Sequence, residues 1–311
     1  MTIRLTILFF ILCFNVSLSN AQSIDKQNYI QLKSKEDSLK NIGIKIVNSL
    51  DAAERFRSDS IFTRTLVRAL KVQRSFYYPF DSISTVSKIY SPDSLFRIFT
   101  WQVTINENTQ RRHGAIQMKT TDGSLKLFPL IDRSIVIKNQ LDTVTNNEWW
   151  IGAIYYKVVK KLFNNKAYYT LLGYDENTMR STKKWIEVLH FDEKGLPQFG
   201  GQFFSFKQDS IPLPTQSRFS IEYKKDGNGR ITYDSDLDIL IYDHLISETN
   251  EETKKYTYIP DGDYEGFKWN EGQWQHIDKV FTQKLIEGQA PLIKPVKENK
   301  LQIAPEKKGS L

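Results

Sequence analysis

Two acidic strings and four histidines are the residues of this chain best placed to do chemistry. Asp234, Asp236 and Asp238 are spaced two apart. On an extended backbone that period puts all three carboxylates on one face, with Leu240, Tyr242 and His244 continuing it. Three converging carboxylates could hold a hard cation. The plainer expectation is a charged hairpin end facing water. The second string is Asp261-Gly262-Asp263-Tyr264-Glu265-Gly266. It matches the first half of a calcium loop, with oxygen ligands at positions one, three and five and glycine at six. The twelfth position, normally a bidentate Glu, is Gly272, and Glu271 falls one place early. Lys268 replaces the usual aliphatic at the eighth, and the flanks read as strands. A turn is therefore expected here.

The histidines are His113, His190, His244 and His276, and no two lie four apart, so no helical zinc pair exists. There is no nucleophile elbow, no phosphate-cradling Gly-rich loop and no dinucleotide fingerprint. Asp243-His244 with Ser247 has the letters of a catalytic triad. Adjacent strand residues point to opposite faces, so Asp243 is badly placed to orient His244. Four tryptophans, Trp149, Trp150, Trp269 and Trp274, fall at predicted strand edges or turns, where exposed rings could stack on sugars. Large aromatics also fill β cores, which is the simpler expectation. No cofactor is implied by any of these patterns.

The N-terminus says where such chemistry would take place. Arg4 precedes an apolar run from Leu5 to Val16, and Ser19-Asn20-Ala21 supplies small residues before Gln22. That order predicts a cleaved signal peptide over 1–21. The run is too short to span a bilayer, so no transmembrane segment is expected after cleavage. Cys13 lies inside the run rather than behind it, which argues against a lipid anchor. It is also the only cysteine, so the mature chain has no thiol nucleophile, Cys-type zinc site or disulfide. Loss of Arg4 takes the formal charge from +7 to +6. Half of that excess comes from six lysines against three glutamates after residue 283. The body is then only mildly basic, and no nucleic-acid partner is expected.

Two kinds of element must position these side chains. Residues 22–35 read as a polar lead-in. From Glu36, with Ser34 and Asp37 resembling a cap, the stripe Leu39, Ile42, Ile46, Leu50, Ala53 predicts a helix. Ser58-Asp59 reads as a second start, before Ile61, Phe62, Leu66, Ala69 and Leu70. After Pro79 the period changes to two. Strands are expected over 95–105, 113–119, 124–131, 151–160, 167–174, 185–191, 199–206, 217–224, 230–233, 237–242, 256–259, 264–269 and 273–278. Turns at Asp122-Gly123, Asn164-Asn165, Asp192–Gly195 and Asp226–Gly229 separate several of them. The predicted class is α+β, mainly β: a short helical N-terminal part (22–78), then a large antiparallel β-meander, sandwich or open barrel (79–282). A Lys- and Pro-rich flexible tail (283–311) is expected to follow.

Several strings resemble a family of uncharacterised exported proteins common in Bacteroidetes-type bacteria. They are Ser91-Pro92-Asp93, Arg97-Ile98-Phe99-Thr100-Trp101, Tyr169-Thr170-Leu171-Leu172-Gly173-Tyr174-Asp175, Asp243-His244-Leu245, Pro260-Asp261-Gly262 and Gly266-Phe267. The resemblance implies a Gram-negative envelope but carries no activity or site residue. The periplasm is the expected location, with secretion or outer-membrane association as alternatives. The leading expectation is a non-catalytic binding or scaffolding protein with an envelope or glycan partner. The alternatives are a hydrolase whose site assembles from distant strands, and a glycan-binding module. Polar groups converging in a pocket would favour the enzyme, and a flat row of Trp the glycan binder. The deciding question is whether His244, Asp234 and Asp261 share one cleft.

Overall fold

A computed structural model describes residues 24–281; the signal segment and the Lys- and Pro-rich tail lie outside the described residues. Two helices come first, α1 (Lys26–Asn48) and α2 (Ala52–Leu70). Helix α1 starts ten residues earlier than the sequence suggests. Leu32 continues the stripe of Leu39 and Ile46 by one more heptad, and all three are buried. Asp25 caps the helix, accepting the Asn28 N–H at 2.9 Å. The stripe also buries Glu36, which accepts the Tyr78 hydroxyl at 2.6 Å and the Ser82 N–H at 2.7 Å. Gly43 lies on the same face because a Cβ there would meet Thr85 Oγ1 at 2.3 Å.

The second helix does not begin at Ser58-Asp59. Asp51 caps it, accepting from the N–H groups of Ala53 at 3.0 Å and Glu54 at 3.3 Å. Leu50 sits in the break and is 99 % exposed, so it is not part of the apolar stripe. Ser58 and Asp59 are buried in mid-helix. Asp59 is there to accept the Trp101 indole N–H at 2.8 Å.

The strands form three sheets rather than one, and they do not close into a barrel. The first holds β1 (Ser87–Tyr90), β2 (Phe96–Asn106), β3 (Thr109–Met118) and β4 (Lys126–Ile131) in chain order. The second holds β5 (Thr145–Asn146), β6 (Ile154–Phe163), β7 (Lys166–Asp175), β8 (Ser181–Phe191) and β9 (Pro197–Phe199), in the order β5-β9-β8-β7-β6. Then β10 (Phe204–Ser205) leaves for the third sheet, while β11 (Arg218–Lys224) returns to pair with β8. The third sheet adds β12 (Ile231–Asp234), β13 (Ile239–Ser247), β14 (Tyr258–Asn270) and β15 (Gln273–Ile277), in the order β10-β15-β14-β13-β12. Its β10–β15 pair is parallel and the remaining pairs are antiparallel.

Three cores join these layers. The helices pack on the first sheet through Leu39, Ile46, Phe62, Leu66, Phe99 and Trp101. The first sheet packs on the second through Phe96, Ile98, Ile116, Leu171, Trp185 and Leu189. The other face of the second sheet packs on the third through Leu172, Ile186, Val188, Leu240, Phe267 and Trp274. The central sheet is thus buried on both faces. That explains the unbroken apolar runs of β7 and β8, where neighbouring residues serve different cores.

Backbone chemistry corrects three expected strands. The segment 199–206 breaks at Gly200 and Gly201, with φ of +88° and +140°, which divides β9 from β10. Conversely, 258–259 and 264–269 belong to the single strand β14, while 256–257 lie in a 3-10 turn, Lys255–Thr257, and the calcium-like string lies inside β14. The Asp234–Asp238 stretch is not extended: Asp234 ends β12 and Asp238 has φ of +57°, so the three carboxylates do not share a strand face. The Asn164-Asn165 turn holds, with both residues left-handed as a tight hairpin requires.

Candidate functional site

A cleft of about 630 Å³ opens where the edge strand β11 of the second sheet meets the third sheet. Lys183 and Trp185 of β8 stand beside Glu222 and Ser220 of β11, because Lys183 pairs with Glu222 and Trp185 with Ser220. Tyr242 and His244 of β13, with Glu265 of β14 opposite Tyr242, form the facing wall. Residues 137–141 roof one side, and the turn at Lys255–Tyr258 closes another.

The roof is held by one buried residue. Arg218 is fully buried and uses all five N–H groups. Its Nε donates to Glu187 Oε2 at 2.7 Å. The remaining four serve the carbonyls of Gln140 (3.0 Å), Thr143 and Phe199 (3.1 Å) and the Thr145 hydroxyl (2.6 Å). Glu187, equally buried, accepts from Tyr155 as well. Tyr155 receives the Trp150 indole N–H at 2.6 Å. The segment leading from the cleft roof into β5 is therefore pinned to the second sheet by a satisfied ionic network.

The facing wall contains a chain of alternating carboxylates and imidazoles. Asp209 Oδ2 lies 2.9 Å from His276 Nδ1, and His276 Nε2 lies 3.1 Å from Glu265 Oε2. The Tyr242 hydroxyl donates to the same Glu265 oxygen at 2.5 Å. The other oxygen of Glu265 is 3.6 Å from His244 Nε2, and His244 Nδ1 is 2.8 Å from Asp261 Oδ2. Burial opposes charge on His276, but hydrogen bonds to Glu265 and Asp209 outweigh it and hold its pKa above the ordinary 6.5. Burial would raise Glu265, yet His276 and Tyr242 together bring its pKa below 4.5. Both ring nitrogens of each histidine are directed at carboxylates. That arrangement favours imidazolium at His276, whose Nε2 also lies 2.7 Å from the Tyr242 hydroxyl, itself held by Glu265.

His244 and Asp261 therefore do come together, and Asp234 does not join them. Asp234 Oδ1 instead accepts the Asp236 and Leu237 N–H groups, both at 2.9 Å, in the β12–β13 turn. Asp238 pairs with Lys161 and accepts the Tyr233 hydroxyl. In the calcium-like string, Asp263 pairs with Lys279 at 3.2 Å, while Asp261 and Glu265 belong to the histidine chain. Among the described residues no three His, Cys, Asp or Glu side chains are arranged to hold a metal ion. The triad letters do not assemble either. Asp243 accepts the Arg230 N–H at 2.8 Å, and the Ser247 hydroxyl lies 2.9 Å from that of Thr257.

The tryptophans form no row. Trp150 and Trp274 are core residues with no exposed surface, and Trp274 donates to the Thr170 hydroxyl at 2.9 Å. Trp269 packs on Trp274 at 5.3 Å between ring centres. Trp149 alone is well exposed, with the Arg133 guanidinium 5.8 Å from its ring.

Sequence reasoning missed Arg218, Glu187, Asp209 and the 137–141 roof. A faint signal existed for one of them: Arg218 stands on the β11 face opposite Phe219, Ile221 and Tyr223, and so faces the adjoining core. Asp209 and the roof are in irregular segments with no periodicity to read. No protein family, characterised protein or solved structure matches this chain.

Proposed function

We propose that this chain is an exported, periplasmic binding protein whose cleft between β11 and the third sheet takes a soluble small molecule without transforming it. One observation carries the reading. The cleft is roomy and open, yet the one histidine among its lining residues, His244, has Nδ1 2.8 Å from Asp261 and Nε2 3.6 Å from Glu265, so both nitrogens face carboxylates and neither faces a hydroxyl nucleophile. A volume of about 630 Å³ falls in the range of small-ligand sites. The charged run, apolar stretch and small-residue exit over residues 1–21 support export.

Native mass spectrometry of the protein purified from its host tests both parts. The expected result is a mature N-terminus at or near Gln22 and one small molecule retained per chain. Filling the cleft by Ser220→Trp, or from the roof by Leu141→Trp, should release that molecule while leaving the far-ultraviolet circular dichroism unchanged. An intact Met1 would overturn export. A bound molecule that survives both substitutions would overturn the cleft as its site. Turnover of ester or glycoside substrates, lost on His244→Gln, would favour the hydrolase reading instead.

A further inference from the structure

We infer that the ligand of this cleft is a small soluble organic anion with an apolar body, gripped by Lys138 from the roof and Lys255 from the opposing turn. The inference rests on the binding role proposed above and names the class of molecule bound.

Charge accounting supports it. The cleft-facing carboxylates are already engaged. Glu222 has Lys183 at 3.4 Å and accepts from Asn177 at 2.9 Å and Ser181 at 2.6 Å. Glu265 is held by Tyr242 and His276, with His244 nearby. Asp243, at the margin, accepts the Arg230 N–H and lies in the field of Lys184. The cations are not all engaged. Among the described residues neither Lys138 nor Lys255 has a carboxylate partner, and Lys255 rests its ammonium 4.2 Å from the centre of the Tyr258 ring. Two unspent charges of the same sign, one on each side of an opening, favour an anion between them.

The walls specify the rest of the molecule. Leu141, Ile221 and Leu245 line the cleft between these charges. An apolar body carrying a negative charge meets both requirements.

Two fluorescent probes separate the charge from the body. Anilinonaphthalene sulfonate carries an aromatic body and one sulfonate, and N-phenylnaphthylamine is the same body without the charge. Titrated into the full chain, the sulfonate should bind at least ten times more tightly than the neutral probe. Its affinity should fall at least tenfold in the Lys138→Ala/Lys255→Ala double variant and vanish in Ser220→Trp or Leu141→Trp. The neutral probe should be indifferent to the lysine substitutions. Equal binding of both probes, lost in the cleft-filling variants but unaffected by the lysine variants, would overturn the anion while leaving the binding cleft intact. Failure of both probes to bind, or binding that survives both cleft-filling variants, would overturn the inference and the binding role together.

Discussion

Arg218 and Glu187 form an ion pair from which water is wholly excluded, and removing one partner is worse than never having had the pair. The lost solvation of a buried carboxylate must be balanced by Coulomb attraction and hydrogen bonds. Here Glu187 has Arg218 and Tyr155, and Arg218 in turn satisfies three carbonyls and a hydroxyl. Arg218→Met should therefore destabilise the fold by about 3–5 kcal/mol, measured by urea unfolding. It should also speed amide exchange across 137–143, since the roof loses its anchor. Arg218→Met/Glu187→Met should recover much of the stability but not the slow exchange, because the carbonyls stay orphaned. A loss below about 1 kcal/mol in the single variant would mean that Glu187 is not charged in the folded protein. Arg97 poses a related problem solved differently. It is fully buried without a carboxylate, donates to Gln117, Ser75, Tyr78 and Tyr90, and lies 4.7 Å from the centre of the Phe99 ring. Burial pulls its pKa down to about 10, still far enough above neutrality to keep the charge.

Elements carry the next level of specification, and their ends are set by single residues. Asp51 satisfies two N–H groups at the start of α2, the helix that also delivers Asp59 to Trp101. Asp51→Ala should cost about 1 kcal/mol and lower the melting temperature by a few degrees. An unchanged melting temperature would place the effective start of the helix elsewhere. Strand β14 shows the same logic in a sheet. Gly262 takes φ of +97° within it, and the pairing with β13 shifts register between Asp243 and Leu245. Beside that irregularity Asp261 uses one oxygen for His244, at 2.8 Å, and the other for the Asp263 N–H, at 3.0 Å, rather than sharing an ion with the Asp263 carboxylate. Millimolar calcium, or a chelator, should therefore leave the melting temperature unchanged. A site saturated 100-fold above its dissociation constant would add about 2.7 kcal/mol. An upward shift of several degrees, abolished by Asp261→Ala, would contradict the assignment of these carboxylates to the histidine chain.

Shifted ionisable groups make the stability of the whole molecule depend on pH, and four of them show effects of opposite sign. His276 has a folded pKa above its ordinary 6.5. Its contribution is complete below about 6.5 and is lost as pH rises through the raised value. Glu265 behaves inversely: its folded pKa is below 4.5, so its contribution holds above that value and is lost as pH falls through the lowered one. Burial lowers His113, and lowers His190 to about 4, so both favour the neutral ring and lose stability as pH falls below 6.5. Comparing wild type with His276→Gln isolates the first effect. The stability advantage of the wild type should be greatest near pH 6 and shrink toward pH 9, measured by urea unfolding across that window. A constant difference would show that His276 does not change protonation there.

Much of this architecture could be read without coordinates, because it rests on local physics. Alternation of period two located most strands, and the Asn164-Asn165 and Asp122-Gly123 turns follow from residues that tolerate left-handed backbone. Helical periodicity found both helices but misjudged their starts. Leu32 follows Ile30 in a stretch that is otherwise mostly polar and shows too few apolar residues to mark a helical stripe, and Ser58-Asp59 has the letters of a cap while Asp59 serves Trp101 across an interface. What the sequence could not determine was which strands meet. The division into three sheets depends on packing between faces that are equally apolar in the primary structure. So does the burial of Trp150 and Trp274, which are chemically indistinguishable from Trp149 until their surroundings exist. The cleft is the clearest case. His244 and Asp261 were visible as candidates. Their convergence with Glu265, and that of Glu265 with His276 and Asp209, required segments 67 residues apart in sequence to be brought into hydrogen-bonding contact. No local propensity encodes such a meeting; the pairing of β13, β14 and β15 within the third sheet, with Asp209 just beyond β10, brings these side chains together.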